Sequence, residues 1–220
     1  MISVVVPVYN EARMIRPTLE KLDAVMKSTK KSYEIIAVND CSSDNTANIL
    51  KSINIKHLTV IHHDINSGYG SSLKTGIKAA KYDWICITDA DGTYPIDSIP
   101  DLLKHIGRYE MVVGARTGKK VSIPLMRRPV KTMLNAYASF LAGKPIPDLN
   151  SGLRIFHKSI AQQYWKLFPE RFSFTSTLTM CCLTNGHPTL FKPINYYKRV
   201  GSSTIHPIKD TIRFLELLTK

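Results

Sequence analysis

Short apolar segments rich in β-branched residues recur along the first half of the chain, and amphipathic segments separate them. The predicted strands are Ile2–Val8, Tyr33–Val38, Leu58–Ile61, Trp84–Thr88 and Met111–Val113. Apolar residues at steps of three to four predict helices between them, at Glu11–Lys27, Asp44–Ile53, Ser71–Lys81 and Ile96–Ile106. Strands that are apolar on both faces and alternate with helices predict an α/β fold, with a Rossmann-like, mostly parallel sheet and helices on both of its faces.

The second half departs from this alternation. Its predicted helices are Pro129–Ala142, Ser159–Leu167, Ser173–Leu183 and Pro207–Leu218, and its predicted strands are Leu153–Phe156 and Thr189–Tyr197. A basic loop at Thr117–Pro124 and a polar turn at Asp148–Gly152 connect these elements. No repeat, low-complexity segment or linker interrupts the chain, so we expect a single domain over residues 1–220, with a first half at 1–115 and a basic half at 116–220.

The basic residues are unevenly distributed. The 220-residue chain has a net charge of +13, from 30 Lys and Arg against 17 Asp and Glu. Residues 1–110 hold 13 acidic and 13 basic residues, so the whole excess lies in residues 111–220. A one-sided basic field indicates an anionic partner, such as phosphates, an anionic membrane or nucleic acid, and a solvated basic surface is the simpler alternative.

Composition also argues against several classes of protein. No run of 18 apolar residues occurs, so no membrane span is predicted. The four cysteines form no CxxC pair, which argues against a disulfide framework or a zinc site. His62 and His63 are interpreted as surface or packing residues, because no further ligand lies at metal-binding spacing.

Two aspartates follow the fourth predicted strand directly, in the sequence Asp89-Ala90-Asp91-Gly92. Carboxylates at positions i and i+2 repel each other unless a cation lies beside them. Mg²⁺ and Mn²⁺ prefer oxygen ligands and keep positions for phosphate oxygens. The pair therefore predicts a divalent metal that holds a diphosphate, and an exposed acidic turn is the alternative.

Polar clusters also follow three other predicted strands, where ligands of parallel α/β sheets bind. Glu11 follows the first strand and Asp40 the second. Asp40 could hydrogen-bond a nucleobase, although both clusters also suit helix caps. The segment Asn66–Gly70 carries two glycines that could allow a close backbone approach to a ligand or form a tight turn.

Taken in order, these motifs resemble glycosyltransferase family 2, and within it the dolichol-phosphate mannose synthase-like, or polyprenol-phosphate glycosyltransferase, branch. The matching segments are Val5–Glu11, Asp40–Thr46, Asn66–Gly70, Asp89–Gly92, Gly114–Arg116, Asp148–Arg154 and Arg199–Ser203. The resemblance implies a GT-A fold and an inverting transfer of a sugar from a nucleoside-diphosphate-sugar, GDP-mannose or a UDP-sugar, to a polyprenyl or dolichyl phosphate.

The resemblance also implies roles for individual residues. Those expected to bind the donor nucleoside and its sugar are Pro7, Tyr9, Glu11, Asp40, Gly68, Gly70, Ser151 and Gly152. Those expected to act on the charged groups are Asp89 and Asp91 as ligands of Mg²⁺ or Mn²⁺, and Arg116, Arg128 and Arg199 as phosphate-binding residues. Two positions depart from the family pattern, because Thr93 replaces a metal-binding Gln and Thr204 replaces a Lys.

The acceptor determines what else the site must provide. A phosphate is largely ionised near neutral pH, its second pKa being about 6, so it needs little help from a general base. A sugar hydroxyl would require one, for which Asp91 and Asp148 are the nearest candidates. With the basic half and the amphipathic segments at 129–142 and 207–218, we expect a peripheral location on the cytoplasmic face of a membrane.

Three alternatives remain at this point. The chain could transfer a sugar to a glycan or another acceptor that is not a lipid phosphate. It could bind nucleic acid, although it lacks interleaved aromatic and basic motifs, and we expect no specific binding. It could also be a nucleotide-sugar sensor without turnover.

Overall fold

The structure is a computed structural model that describes residues 1–122, 128–171 and 173–199. Its seven strands are β1 (Ile2–Val8), β2 (Tyr33–Asn39), β3 (Leu58–His62), β4 (Trp84–Ile87), β5 (Met111–Ala115), β6 (Arg154–His157) and β7 (Thr189–Pro193). They form one sheet in the order β3-β2-β1-β4-β6-β5-β7.

Seven α-helices within the described residues connect or flank the strands. They are α1 (Ile15–Ser28), α2 (Thr46–Lys51), α3 (Tyr69–Ala79), α4 (Ile99–Leu103), α5 (Arg128–Ala142), α6 (Lys158–Gln163) and α7 (Phe174–Thr184). Short 3-10 helices lie at Ile96–Ser98 and Trp165–Leu167. None of the helices in the described ranges combines the length and the apolar character that a membrane span requires.

Alternate residues of the central strands point into two different cores. Val4 and Val6 of β1 pack with α1, α2 and α4 on one face of the sheet. Val5, the residue between them, packs with α3, α6 and α7 on the other face. This alternation confirms the predicted sheet with helices on both faces, because a strand buried on both sides needs a covering layer on each.

One strand runs against the others, and its direction positions the site. β6 is antiparallel to both β4 and β5, whereas all other neighbouring pairs are parallel. The loop that precedes β6 therefore lies at the same sheet edge as the carboxyl ends of the parallel strands. The segment Asp148–Gly152 is thereby brought to the edge where the acidic residues after β1 and β4 lie.

Several predicted boundaries differ from the structure. The first helix begins at Ile15 rather than Glu11, and the N–H groups of Glu11 and Ala12 instead donate to the side chains of Thr46, the first residue of α2, and Asp44, in the loop before it. The predicted strand Thr189–Tyr197 ends at Pro193. Beyond it the chain bonds to the loop after β5, with Gly118 N–H donating to Ile194 C=O at 2.9 Å. The predicted helix Pro207–Leu218 lies outside the described residues.

Candidate active site

Asp89 and Asp91 lie just beyond the carboxyl end of β4, where neighbouring hydrogen bonds fix their orientation. The Tyr69 hydroxyl donates to Asp89 Oδ1 at 3.0 Å. Thr93 donates twice to Asp91 Oδ1, from its N–H at 3.1 Å and from its hydroxyl at 2.6 Å. Thr93, which departs from the family pattern, therefore orients the second aspartate.

The surroundings of this pair disfavour two negative charges. Burial, assisted by the charge of Asp91, raises the pKa of Asp89 to about 7. Burial likewise raises the pKa of Glu11 to about 7, although Arg199 opposes the effect and the two aspartates add to it. The three carboxyl groups form an acidic cluster that lacks sufficient countercharge, which favours binding of a cation.

Arg199 lies across this acidic cluster. Its Nη2 donates to Glu11 Oε1, and its Nη1 lies 3.5 Å from Asp91 Oδ2. Its Nε is buried without a hydrogen-bond partner among the described residues. Although 188 residues separate Arg199 from Glu11, the fold brings together these two predicted site residues and Asp91.

The carboxylates of the acidic cluster are of the type that binds a divalent cation together with oxygen ligands from outside the protein. In the described ranges, no group of three His, Cys, Asp or Glu side chains is arranged to hold a metal by itself. Two carboxylates at one strand end suit Mg²⁺ or Mn²⁺, which keep positions for phosphate oxygens and water. Repulsion between Asp89 and Asp91 is what such an ion would relieve.

Arg116, at the end of β5, is bound to the buried carboxylate of Asp148. Its N–H and Nε each donate to Asp148 Oδ2 at 2.8 Å, and its Nη2 donates to Oδ1 at 2.8 Å. Lys131 of α5 lies 3.1 Å from the same Oδ1. Burial favours a raised pKa for Asp148, but Arg116 and Lys131 outweigh it and lower the pKa to about 2. Asp148, one of the two carboxylates considered as a general base, is therefore poorly suited to that role.

The turn before β6 packs directly against the acidic cluster. A Cβ added to Gly152 would lie 2.9 Å from Asp89 Oδ2, so a larger residue would displace that aspartate. The Ser151 hydroxyl donates to the C=O of Gly114. The buried guanidinium of Arg154 donates to the C=O of Ser151 and, at 2.7 Å, to that of Thr175. These bonds tie the turn to α7.

Asp40 holds the loop before α3. Its Oδ1 accepts from Ser67 N–H at 2.9 Å and lies 2.8 Å from His63 Nδ1, and its Oδ2 accepts from Gly68 N–H at 2.8 Å. Ser67, Gly68 and His63 thus fix the orientation of the Asp40 side chain at the end of β2. His63 takes part in packing here, and contact of Asp40 with a nucleobase stays a prediction.

The remaining predicted residues are Pro7, Tyr9, Arg128 and Gly70. Pro7 is buried within β1, Tyr9 is half-buried just after it, and Arg128 is the exposed first residue of α5. Gly70 approaches protein rather than open space, because an added Cβ would lie 2.0 Å from the C=O of Pro169. Close packing of α3 on that segment is therefore a sufficient reason for glycine there.

Sequence reasoning gave no role to Tyr69, Lys131 or Arg154. Tyr69 lies between the two glycines of a quoted motif, and Arg154 interrupts an apolar strand, so each carried a signal. A charged residue inside such a strand must find polar partners. Lys131 carried none, since it is one of many lysines in the basic half.

The family model described as "Glycosyl transferase family 2" matches residues 3–165, which is most of the chain. The chain belongs to glycosyl transferase family 2. The three residues of the acidic cluster, Glu11, Asp89 and Asp91, all lie within the matched range.

Two relatives illustrate the similarity in sequence. The chain is 33% identical over 162 residues to undecaprenyl-phosphate 4-deoxy-4-formamido-L-arabinose transferase of Proteus mirabilis, covering 72% of this chain and 49% of the relative. It is 31% identical over 184 residues to a dolichyl-phosphate beta-glucosyltransferase of Trichomonas vaginalis, covering 76% of this chain and 54% of the relative. The chain therefore spans about half the length of these relatives.

The solved structures establish the fold as GT-A. TarS of S. aureus, in complex with UDP-GlcNAc, superposes with a TM-score of 0.72 at 20% identity, covering 99% of this chain and 65% of that one. Glucosyl-3-phosphoglycerate synthase of Mycobacterium tuberculosis, in complex with Mn²⁺, UDP and phosphoglyceric acid, gives 0.74 at 14% identity, covering 99% and 77%. The GT-A fold implied by the sequence resemblance is thus confirmed.

Proposed function

We propose that this transferase moves a sugar from a nucleoside-diphosphate-sugar, GDP-mannose or a UDP-sugar, to a polyprenyl or dolichyl phosphate, with inversion at the anomeric carbon. The observation that carries the proposal is the acidic cluster at the carboxyl end of β4, with Asp89 at a pKa of about 7 through burial and the charge of Asp91. Such a cluster needs a cation, and a cation there would meet a donor diphosphate.

In this proposal Asp89 and Asp91 hold Mg²⁺ or Mn²⁺, which neutralises charge on the leaving diphosphate when bound. Glu11, Tyr9, Pro7 and Asp40 contribute to the nucleoside site, with Gly68 and Gly70 nearby and Ser151 and Gly152 beside the sugar. Arg116, Arg128 and Arg199 provide guanidinium groups, which suit phosphate oxygens through paired N–H donors.

A phosphate acceptor agrees with the state of Asp148. Its oxygens are occupied by Arg116 and Lys131, and its pKa is about 2. A hydroxyl acceptor would need a base to remove its proton, whereas an ionised phosphate oxygen can attack directly. Both relatives described above carry lipid-phosphate acceptors in their names, which supports the same class of acceptor.

A location at the cytoplasmic surface of a membrane is part of the proposal. The outward side of α5 carries Met133, Phe140 and Leu141, which are 52%, 81% and 40% exposed. No acidic residue occurs between Glu110 and Asp148 in the sequence that includes this helix. Apolar side chains within a basic region suit an anionic lipid interface.

The alternative is a soluble acceptor. The M. tuberculosis structure contains phosphoglyceric acid beside UDP and Mn²⁺, so a soluble phosphate-bearing molecule is an acceptor chemistry that the same fold accommodates. The basic half would serve either acceptor, and only a transfer assay separates them.

The first experiment measures thermal unfolding with UDP or GDP, each with and without Mn²⁺. We expect one nucleotide to raise the Tm only when Mn²⁺ is present, because a ligand that binds the folded state stabilises it by mass action. Asp91→Asn should abolish the Mn²⁺-dependent part and reduce transfer on the order of 100-fold or more. No response to any nucleotide with Mn²⁺ would contradict donor binding.

The second experiment supplies labelled sugar nucleotides to the protein with undecaprenyl phosphate vesicles or with phosphoglyceric acid. Label that enters the organic phase with vesicles supports the lipid-phosphate acceptor. Label found only on the soluble acid, with nucleotide binding intact, would favour the alternative.

A further inference from the structure

Two neighbouring residues at the start of α3 bond to carboxylates at the ends of two different strands. The N–H of Gly68 donates to Asp40 Oδ2, after β2, at 2.8 Å. The hydroxyl of Tyr69, the first residue of α3, donates to Asp89 Oδ1, after β4, at 3.0 Å. A single peptide unit therefore connects the carboxylate proposed for the nucleoside with one of the carboxylates proposed for the metal ion.

This junction of Gly68 and Tyr69 is held in place by the segment that precedes α7. Gly68 has a φ of +100°, and a Cβ added to it would lie 2.9 Å from the C=O of Glu170. The N–H of Gly70 donates to the C=O of Arg171 at 2.8 Å. Because these contacts leave the junction little freedom to move by itself, a shift of Gly68 must also move Tyr69.

The orientation of Asp89 depends on the Tyr69 hydroxyl. Among the residues that the structure describes, no other group donates a hydrogen bond to the Asp89 carboxylate. Gly152, which packs against this carboxylate, has no side chain that could hold it. Asp91, in contrast, accepts two hydrogen bonds from Thr93. Removal of the Tyr69 hydroxyl should therefore affect the orientation of Asp89 but not that of Asp91.

The fold restricts the movement of Tyr69 itself. Its half-buried ring packs against the apolar core that lies between the sheet and α3, α6 and α7. Its backbone lies in the first turn of a helix of 11 residues. A donor whose ring and backbone are both held loses little further freedom when it bonds to a carboxylate, so this hydrogen bond is preorganised.

We propose that Tyr69 is a positioning residue that holds Asp89 in the orientation needed for metal binding, and that the junction makes metal affinity depend on whether a nucleoside is bound. This inference rests on the proposed function, which places the nucleoside at Asp40 and the metal at Asp89. Hydrogen-bond partners of metal ligands typically contribute about ten- to hundredfold to metal affinity. A nucleoside that stabilises the loop bonded to Asp40 also stabilises Tyr69, so each ligand favours binding of the other.

The test measures the Mn²⁺ affinity of the protein by electron paramagnetic resonance, with and without a saturating nucleoside. The nucleoside is uridine or guanosine, according to which of UDP and GDP raises the Tm. A nucleoside has no phosphate that could bridge to the ion, so its effect on Mn²⁺ affinity reports coupling through the protein. We expect it to tighten Mn²⁺ binding to the natural sequence about fivefold.

Tyr69→Phe removes the hydroxyl and keeps the ring. Without nucleoside it should weaken Mn²⁺ binding about tenfold, because Asp89 loses its hydrogen bond, and the nucleoside should no longer change the Mn²⁺ affinity. Tyr33→Phe is the matched control, because the Tyr33 hydroxyl donates to Asp23 Oδ1 at 2.6 Å, at the amino end of β2 and away from the acidic cluster. This control removes the same kind of bond and should lower the Tm without changing either Mn²⁺ affinity.

The inference is overturned if Tyr69→Phe binds Mn²⁺ as tightly as the natural sequence, or if Tyr33→Phe weakens Mn²⁺ binding equally. It is also overturned if the nucleoside leaves the Mn²⁺ affinity of the natural sequence unchanged, or changes it by the same factor in Tyr69→Phe. These results leave the proposed function intact as long as UDP or GDP with Mn²⁺ raises the Tm. If the natural sequence binds no Mn²⁺ even with UDP or GDP, the metal-binding part of the proposed function is wrong, and this inference is overturned with it.

Discussion

Arg199 is a protein cation placed where a metal ion would act. It contacts Glu11 and Asp91, so it supplies part of the countercharge that the acidic cluster lacks. A divalent ion bound by Asp91 must therefore compete with this guanidinium. We predict that Arg199→Met tightens Mn²⁺ binding about three- to fivefold in the absence of nucleotide, because the competing cation is removed.

Electron paramagnetic resonance of free Mn²⁺ measures this affinity directly. Lys198→Met is the matched control, because it removes a neighbouring positive charge that is absent from the contacts of the acidic cluster among the described residues. With UDP present, Arg199→Met should instead weaken Mn²⁺ binding if Arg199 also binds the phosphates of the nucleotide. Weaker Mn²⁺ binding without nucleotide would show that the guanidinium does not compete for Asp91.

The raised pKa of Asp89 sets a pH dependence of stability. The carboxyl has a pKa of about 7 in the folded protein, raised by burial and by Asp91, against about 4 in an unfolded chain. The folded state therefore holds a proton that the unfolded state has released, and this contribution to stability is lost as pH rises through 7. We predict that the metal-free protein unfolds at lower temperature at pH 8 than at pH 6, and that Asp89→Asn reduces this difference.

Metal binding should show the opposite trend, because Mn²⁺ and a proton compete for the same carboxylates. Its affinity should rise between pH 6 and pH 8. Asp148 does not contribute to either slope, since its pKa of about 2, set by Arg116 and Lys131 against burial, lies well below this interval. If the unfolding temperature changes equally between pH 6 and pH 8 in the natural sequence and in Asp89→Asn, Asp89 is ionised over the whole interval.

Sequence reasoning found the residues whose chemistry is visible in a motif. It predicted that Glu11, Asp89, Asp91 and Arg199 share one site, and the structure brings these four into contact or close approach. It could not find Lys131, because the pairing of that lysine with Asp148 depends on how α5 packs against the turn before β6. Nothing in local spacing encodes that contact.

At the level of elements, the alternation of apolar strands and amphipathic helices was enough to predict the parallel part of the sheet. The direction of β6 was not predictable, because a strand of four residues has the same sequence pattern in a parallel and in an antiparallel pairing. Its consequence is large, since only the antiparallel direction places Asp148–Gly152 beside the acidic cluster. The break of the predicted helix Ser159–Leu167 into α6 and a 3-10 turn is a smaller difference of the same kind.

Substitution of Gly70 tests whether packing between α3 and a neighbouring segment requires a glycine. It lies in the first turn of α3, where an added Cβ would meet the C=O of Pro169 at 2.0 Å. We predict that Gly70→Ala lowers the free energy of unfolding by about 2 kcal/mol, because α3 must move away from that segment. Urea denaturation measures the change.

Gly143→Ala is the comparison for this prediction. Gly143 has a positive φ of 61° but open space around its Cβ position, so only backbone strain of about 1 kcal/mol is expected. If Gly70→Ala is no more destabilising than Gly143→Ala but weakens binding of UDP with Mn²⁺, the glycine serves the ligand, as the sequence resemblance implied.

Two features of the whole molecule, its uneven charge and the exposed side of α5, both suit binding to an anionic membrane surface. Residues 111–220 carry 17 basic and 4 acidic residues. On α5, Leu134 and Ala138 pack inward, whereas Phe140 is 81% exposed. Basic charge attracts an anionic surface over a distance set by salt, and apolar side chains add contact that salt does not screen. A protein using both should bind anionic vesicles in a way that salt weakens only in part.

Phe140→Glu separates these two contributions. We predict that it reduces sedimentation with vesicles of phosphatidylglycerol about tenfold, because it removes a large apolar side chain from the interface and adds a like charge to that of the lipid. Leu167→Glu is the control, since Leu167 is 58% exposed but lies outside α5. Binding of UDP with Mn²⁺ should be the same in both variants, because neither residue contacts the acidic cluster. Equal losses for the two substitutions would mean that added negative charge alone weakens vesicle binding, and α5 would then have no special part in it.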